Sequence, residues 1–174
     1  MNSIRINIGS HSKDITWTNQ KYEMKSYKIR PYLPQDFDEL IHIFKTNVPD
    51  SFAETEIADL KTYLQEEIQD YFVITENNQI LGAAGINYDD DQITARLSWD
   101  FMDQKKDHKG AGTAITQHRI DLIRKLPHIK RLIVRTSQFA EGFYKKQGFI
   151  TIERVPDYWA KGYDLIFMEF QNLN

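Results

Sequence analysis

The sequence predicts a mixed α/β domain, an α+β arrangement built on a mostly antiparallel sheet. Three observations carry this. Apolar residues switch repeatedly between the alternation of strands and the 3.6-residue period of helices. Turn chemistry separates these runs at Glu76-Asn77-Asn78, Asp89-Asp90-Asp91 and Gln147-Gly148. A Gly-x-Gly, Gly110-Ala111-Gly112, stands mid-chain between a strand pattern and a helix pattern.

Residues 1–25 differ from the rest. Ile4, Ile6 and Ile8 alternate with polar residues, Gly9-Ser10-His11-Ser12-Lys13 breaks the pattern, and Ile15 and Trp17 follow. The segment is expected to be an N-terminal extension, either a hairpin at a sheet edge or a loosely ordered arm, ahead of a single domain over 26–174.

Within that domain, Tyr27, Ile29 and Pro31 frame a short strand. Pro34-Gln35-Asp36 starts a helix with Phe37, Leu40, Ile41 and Phe44 on one face. After a loop over 47–51, a second helix turns Ile57, Leu60, Leu64 and Ile68 inward and a solvated acidic face outward. Tyr71–Thr75 and Gln79–Tyr88 form a hairpin, and Ile93–Asp103 a third strand. The three aspartates before it read as turn residues, not as a metal site. The next helix places Ile115, the stem of Arg119, Leu122, Ile123 and Leu126 on its apolar face, and Pro127 stops it. Arg131–Arg135 is a short buried strand. A helix over Phe139–Lys146, with Phe139 and Phe143 sharing a core face, ends at Gly148. Phe149–Val155 and Tyr163–Phe170 close the sheet.

Composition narrows the function classes. The 174 residues carry a formal net charge of -3 and are 41% hydrophobic, which gives no electrostatic reason to expect nucleic acid. No cysteine is present, so disulfides, cysteine nucleophiles and cysteine-ligated metals are excluded. No apolar run approaches the roughly 18 residues of a membrane helix, and the N-terminus lacks a signal-peptide core. The expectation is a cytoplasmic protein with no membrane, metal or nucleic-acid partner, either monomer or homodimer.

The glycine turn is the richest local signal. Glycines between strand and helix let the backbone approach a ligand with no Cβ in the way. The first amides of the helix lack intrahelical partners and, with the positive end of the helix dipole, suit a phosphate or pyrophosphate. This is not a Walker loop, since no Gly-Lys-Ser/Thr follows. Nor is it the longer dinucleotide fingerprint, since Ile115 stands where its third glycine would be.

Two local motifs, in order, now identify a resemblance covering residues 26–170. Asp107-His108-Lys109-Gly110-Ala111-Gly112 is similar to the Gln/Arg-x-x-Gly-x-Gly/Ala coenzyme motif of the GCN5-related N-acetyltransferase (GNAT) superfamily. Phe143-Tyr144-Lys145-Lys146-Gln147-Gly148-Phe149 resembles its more specific Phe-Tyr-x-Lys-x-Gly-Phe signature. Leu97-Ser98-Trp99 and Tyr158-Trp159-Ala160-Lys161-Gly162-Tyr163-Asp164 are similar to one bacterial subgroup. Two positions depart from the pattern: Asp107 replaces the usual Gln or Arg, and Asp103-Gln104 stand where many members have His-Pro. An acidic Asp107 beside a pyrophosphate is expected to weaken coenzyme affinity, with Lys105, Lys106 and Lys109 offsetting it.

The resemblance implies an acyl-CoA N-acyltransferase fold, its sheet splayed between the fourth and fifth strands and flanked by about four helices. It implies acetyl-CoA as cosubstrate and direct transfer to a small-molecule or peptide amine. The cofactor-binding positions it implies are Phe101 and Met102 for the pantetheine arm, the amides of Lys109, Gly110, Ala111, Gly112, Thr113 and Ala114 for the pyrophosphate, and Thr136, Ser137 and Tyr144. Tyr144 would hydrogen-bond or protonate the leaving thiolate. An amine near pKa 10.4 is neutral in only about one molecule in a few thousand at pH 7, so a base is needed. Asp100, at the depth of the family's strand glutamate, is the candidate. His108 and His118 are assigned to the surface, His42 and His128 to a helix and a turn. Phe52, Tyr158 and Trp159 would wall the acceptor site. Polyamine, amino acid, aminoglycoside and protein N-terminus all stay open as acceptors. A non-catalytic acyl-CoA-binding or regulatory module of the same fold is the alternative.

Overall fold

The computed structural model describes residues 27–107 and 109–173; the N-terminal extension expected over 1–25, and His108, lie outside them. Seven strands form one sheet in the order β1-β2-β3-β4-β5-β7-β6. They are β1 (Lys28–Pro31), β2 (Asp70–Glu76), β3 (Gln79–Tyr88), β4 (Thr94–Met102), β5 (Arg131–Thr136), β6 (Phe149–Ala160) and β7 (Tyr163–Phe170). Every neighbouring pair is antiparallel except β4 and β5, as a helical crossover between them requires. The helices are α1 (Phe37–Lys45), α2 (Glu56–Thr62), α3 (Ala111–Ile123) and α4 (Glu141–Lys146). No described helix is long and apolar enough to cross a membrane.

Each face of the sheet has its own core. Leu40, Ile43 and Phe44 of α1 and Leu60 of α2 pack with Val73, Ala83 and Phe101 on one side. Ile115, Ile120 and Ile123 of α3 pack with Ile86, Leu97, Val134, Tyr144 and Ile166 on the other. The second helix is shorter than its apolar period suggests: past Thr62 the chain widens into a π turn over Tyr63–Glu67, which buries Tyr63 and Leu64. On α3, which ends at Ile123 short of Leu126, Leu122 is only half-buried, and Ala111, Thr116 and Ile120 take inner positions instead; Leu126, beyond the helix, is half-buried too. Phe139 is not a core residue either. Its helix begins two residues later, and its ring, 59% exposed, rests on Tyr163.

Two irregularities shape the middle of the sheet. The β3–β4 register runs Gly85 with Ser98 and then Ala83 with Phe101, so Trp99 and Asp100 together oppose Ala84. Trp99 adopts a left-handed φ of 48°, the mark of a β-bulge. Before the bulge Ala95 and Leu97 face α3; after it Asp100 does, while Ser98 and Trp99 both face α1 and α2. Secondly, β4 and β5 pair only from Thr94 with Arg131 to Leu97 with Val134, and the two strands then part.

Candidate active site

The parting of β4 and β5 opens a continuous cleft of about 660 Å³ through the middle of the sheet. Such a volume suits an organic ligand. One end reaches the glycine turn, through Lys109, Gly110, Gly112 and Thr113; the other reaches the α1–α2 loop and the β6–β7 hairpin, through Phe52, Glu56, Trp159 and Tyr163. The Tyr163 hydroxyl donates to the Pro49 carbonyl and ties hairpin to loop.

At the glycine turn, Gly110 caps α3 with φ 87°, a conformation that disfavours any side chain. The amides of Ala111, Gly112 and Thr113 form the first turn of a 13-residue helix and have no carbonyl four residues back inside it. The amide of Lys109 donates to the Asp107 carboxylate (3.2 Å) and that of Ala114 to the Gly110 carbonyl (2.9 Å). Of the stretch Lys109 to Ala114, the first-turn amides are therefore the ones offered to a ligand. The Tyr27 hydroxyl donates to the Lys109 carbonyl (2.5 Å) and anchors the turn. A cap of this kind fits a pyrophosphate.

The cleft walls bring most of the expected coenzyme positions together. Phe101, Met102, Thr136, Ser137 and Tyr144 all line it. Phe101 turns its ring against Phe44, and its carbonyl lies where a Cβ on Gly82 would intrude. The Met102 carbonyl accepts from Asn47 (2.9 Å) and Gln104 (3.3 Å). Asn47 is buried and also donates to the Ile43 carbonyl. It thus clamps the end of α1 to the end of β4, a role its loop-like sequence context did not suggest.

Beneath the opening lies a charged network. Arg119 of α3 is wholly enclosed, and its guanidinium donates to both oxygens of Asp100 at 2.6 Å. It also donates to the carbonyls of Gly85 (2.9 Å) and Ile115 (3.3 Å) and to the Thr116 hydroxyl (3.2 Å). The Tyr144 hydroxyl donates to Asp100 Oδ2. Burial, and then the Asp100 charge, raise the Tyr144 pKa well above the ordinary phenol value, with Arg119 opposing. Burial disfavours the charge on Arg119, but Asp100 more than compensates and raises its pKa. Sequence reasoning placed only the stem of Arg119 in the core and missed the buried ion. An arginine on a helix's apolar face was the one available signal.

Both Asp100 oxygens are engaged by Arg119 and Tyr144. This geometry offers Asp100 an anchoring role beside the basic one expected from the sequence.

At the end of the cleft away from the glycine turn, Phe52 stacks on Trp99 (ring centroids 6.5 Å apart) and lines the cleft, as does Trp159. Tyr158 does not line it; its ring lies 5.1 Å from the Arg135 guanidinium, and its hydroxyl accepts from Arg135. Both residues belong to β6, which runs on to Ala160 and does not end at Val155 as the sequence suggested. Glu56 and Arg135, which also line the cleft, were not singled out in the sequence. His118 packs edge-on against Phe72. Asp89 pairs with Arg96, and Asp91 accepts from the Ile93 and Thr94 amides, as turn residues do.

The family model for the Acetyltransferase (GNAT) domain matches residues 36–171. No curated protein matches the chain in sequence. Among solved structures, a GNAT-family protein from Desulfovibrio desulfuricans superposes with TM-score 0.69 at 19% identity, over 83% of this chain and 98% of that one. The ribosomal-protein-S18-alanine N-acetyltransferase of Escherichia coli gives 0.67 at 21% identity, over 83% and 93%. A Salmonella typhimurium protein solved with acetyl-CoA gives 0.64 at 18% identity, over 86% and 95%. Likeness at these identities establishes the fold. The domain match over most of the chain goes further: this protein belongs to the GNAT family of acetyltransferases, which move an acetyl group from acetyl-CoA to an amine.

Proposed function

We propose that Tyr144 is the proton donor at the sulfur and that Asp100 and Arg119 hold it ready. The observation that carries this is the Tyr144 hydroxyl, on the cleft wall and donating to a carboxylate that is itself clamped by a buried guanidinium. Acetyl-CoA supplies an activated acyl group whose thiol leaves as the amine nitrogen bonds to the carbonyl carbon. The first-turn amides of α3 and the Lys109 side chain hold the phosphate end; Phe101, Met102, Thr136 and Ser137 flank the arm.

Burial keeps Tyr144 a neutral phenol with a proton to give. The amine attacks in its neutral form, its ammonium proton already lost to solvent. As negative charge gathers on the departing sulfur, the Tyr144 proton turns from Asp100 to the sulfur, and the proton shed by the acetylated nitrogen returns to the Tyr144 oxygen. Arg119 balances the Asp100 carboxylate, so the floor of the cleft does not repel the thiolate. The chain has no cysteine, and transfer straight from thioester to amine needs no covalent enzyme intermediate.

Tyr144→Phe tests the assignment. It keeps the Asp100–Arg119 pair and the fold, leaves acetyl-CoA affinity within a few-fold, and lowers kcat by about 10²–10⁴. A variant whose kcat stays within threefold, with chemistry limiting the rate, removes Tyr144 from the mechanism.

A further inference from the structure

The acceptor half of the cleft has an unbalanced pair of charges. The charged side chains lining the whole cleft are Glu56, Arg96, Asp100, Lys109 and Arg135. Arg96 is paired with Asp89 and Asp100 with Arg119, while Lys109 stands at the glycine turn. Glu56 and Arg135 are left. Neither has an ion-pair partner among the described residues, yet both open on the same space.

Each is also held in place. Arg135 sits on β5 just past its last pairing with β4, on the sheet face opposite Val134 and α3. Its guanidinium lies 5.1 Å from the Tyr158 ring centroid and 5.4 Å from that of Trp159, and one nitrogen donates to the Tyr158 hydroxyl. Stacking of this kind fixes the plane of the fork while leaving other N–H groups to a ligand. Glu56 is half-buried at the start of α2, where Oε2 accepts the Ala53 amide (2.7 Å). Oε1 has no protein donor among the described hydrogen bonds. Burial, and then Asp59, raise the Glu56 pKa, the mark of a carboxylate short of positive charge.

We propose that the acceptor is a small zwitterion, its ammonium group received by Glu56 and its carboxylate, or a like oxyanion, by Arg135. The aromatic wall of Phe52, Trp99 and Trp159 covers the rest of the carbon skeleton. This rests on the assignment of the α1–α2 loop and the β6–β7 hairpin to the acceptor. A simple polyamine fits poorly, because it would bring a second cation to Arg135. An α-amino acid or a close analogue fits both ends.

Matched pairs test this: phenylalanine with phenethylamine, lysine with cadaverine, and methionine with 3-(methylthio)propylamine, within a panel of all protein amino acids and their decarboxylated amines. Free thiol released from acetyl-CoA is the readout. The better amino acids should exceed their decarboxylated partners in kcat/KM by at least about tenfold, the scale of one charge-assisted hydrogen bond. Arg135→Gln should bring that ratio close to one, mainly through KM, and Arg135→Lys should leave it intermediate. Glu56→Gln should slow both members of each pair.

A wild-type enzyme that favours the decarboxylated amines, or an Arg135→Gln variant that keeps the ratio, overturns the proposal. Thiol release from no panel member also overturns it. Acetyl-CoA titration by calorimetry then shows which reading failed. Intact coenzyme affinity, with thiol release from spermidine or kanamycin, leaves the transfer site standing and only the zwitterion wrong; the same affinity with no thiol release from any amine tells against the transfer site as well.

Discussion

Asp100 and Arg119 meet through two 2.6 Å hydrogen bonds, one partner on the sheet's central strand and the other on the inner face of α3. The arginine is fully enclosed and the Asp100 side chain is 21% exposed. Removing one partner of such a pair leaves the other charge uncompensated, whereas removing both is far milder. Arg119→Met is therefore expected to cost about 3–5 kcal/mol in a urea melt. Adding Asp100→Asn to it should recover part of that loss. A single variant within 1 kcal/mol of the parent would show the pair to be structurally dispensable.

Gly112 offers a clean probe of coenzyme approach. A Cβ there would lie 3.5 Å from the Phe143 ring, an ordinary contact, whereas at Gly110 the left-handed backbone would confound the result. Within the first helical turn, Gly112→Val should keep the fold, since valine is a better helix residue than glycine. Acetyl-CoA affinity, measured by calorimetry, should fall at least about tenfold as the branched side chain, larger than the alanine the coenzyme motif accepts here, meets the pyrophosphate. Unchanged affinity would move the phosphate site elsewhere.

Asp107 is the acidic departure in the coenzyme motif, and its carboxylate accepts the Lys109 amide at 3.2 Å. Asn keeps that acceptor and drops the charge. Asp107→Asn should tighten acetyl-CoA a few-fold at low ionic strength, and the gain should vanish near 1 M salt, where the screening length is only about 3 Å. A gain independent of salt would point to a change in turn geometry instead.

Acid should loosen α4 before the rest of the domain. Glu141 accepts from the Thr151 hydroxyl (2.7 Å) and Arg154 (2.8 Å), which pin the helix carrying Tyr144 onto β6, and from Lys145 (2.9 Å) on the same helix. These partners, Thr151 first, lower its pKa from 4.5 to about 2. The folded value lies below the unfolded one, so the contribution is complete above about pH 5 and fades as pH falls toward 2. Stability of the parent and of Glu141→Gln should therefore converge between pH 5 and 2 in denaturant melts. Parallel pH profiles would show that this contact adds nothing.

Much of the fold was legible because periodicity and turn residues act locally. The paired runs at Glu76-Asn77-Asn78, the glycine cap and the Phe-Tyr signature all declare themselves within a few residues. Long-range partnerships do not. Asn47 looks like any loop residue until Met102, 55 positions later, presents a carbonyl to it. Arg119 read as a snorkelling stem because nothing nearby marks Asp100 as its partner. Tyr158 read as a wall residue although its face belongs to Arg135. Phe139 had helical spacing to Phe143, but its helix starts two residues too late to use it.

The extra residue at Trp99 makes the irregularity of β4 indispensable. Odd-numbered Ala95 and Leu97 serve the α3 face, and after the shift even-numbered Asp100 takes over. Smoothing the bulge with every residue kept would restore plain alternation from Leu97 onward. The carboxylate would then turn into the aromatic nest around Phe44, and the Phe101 ring would be thrust at a buried guanidinium. Loop lengths elsewhere can drift at little cost, whereas the parity that this bulge sets along the strand is itself part of the chemistry.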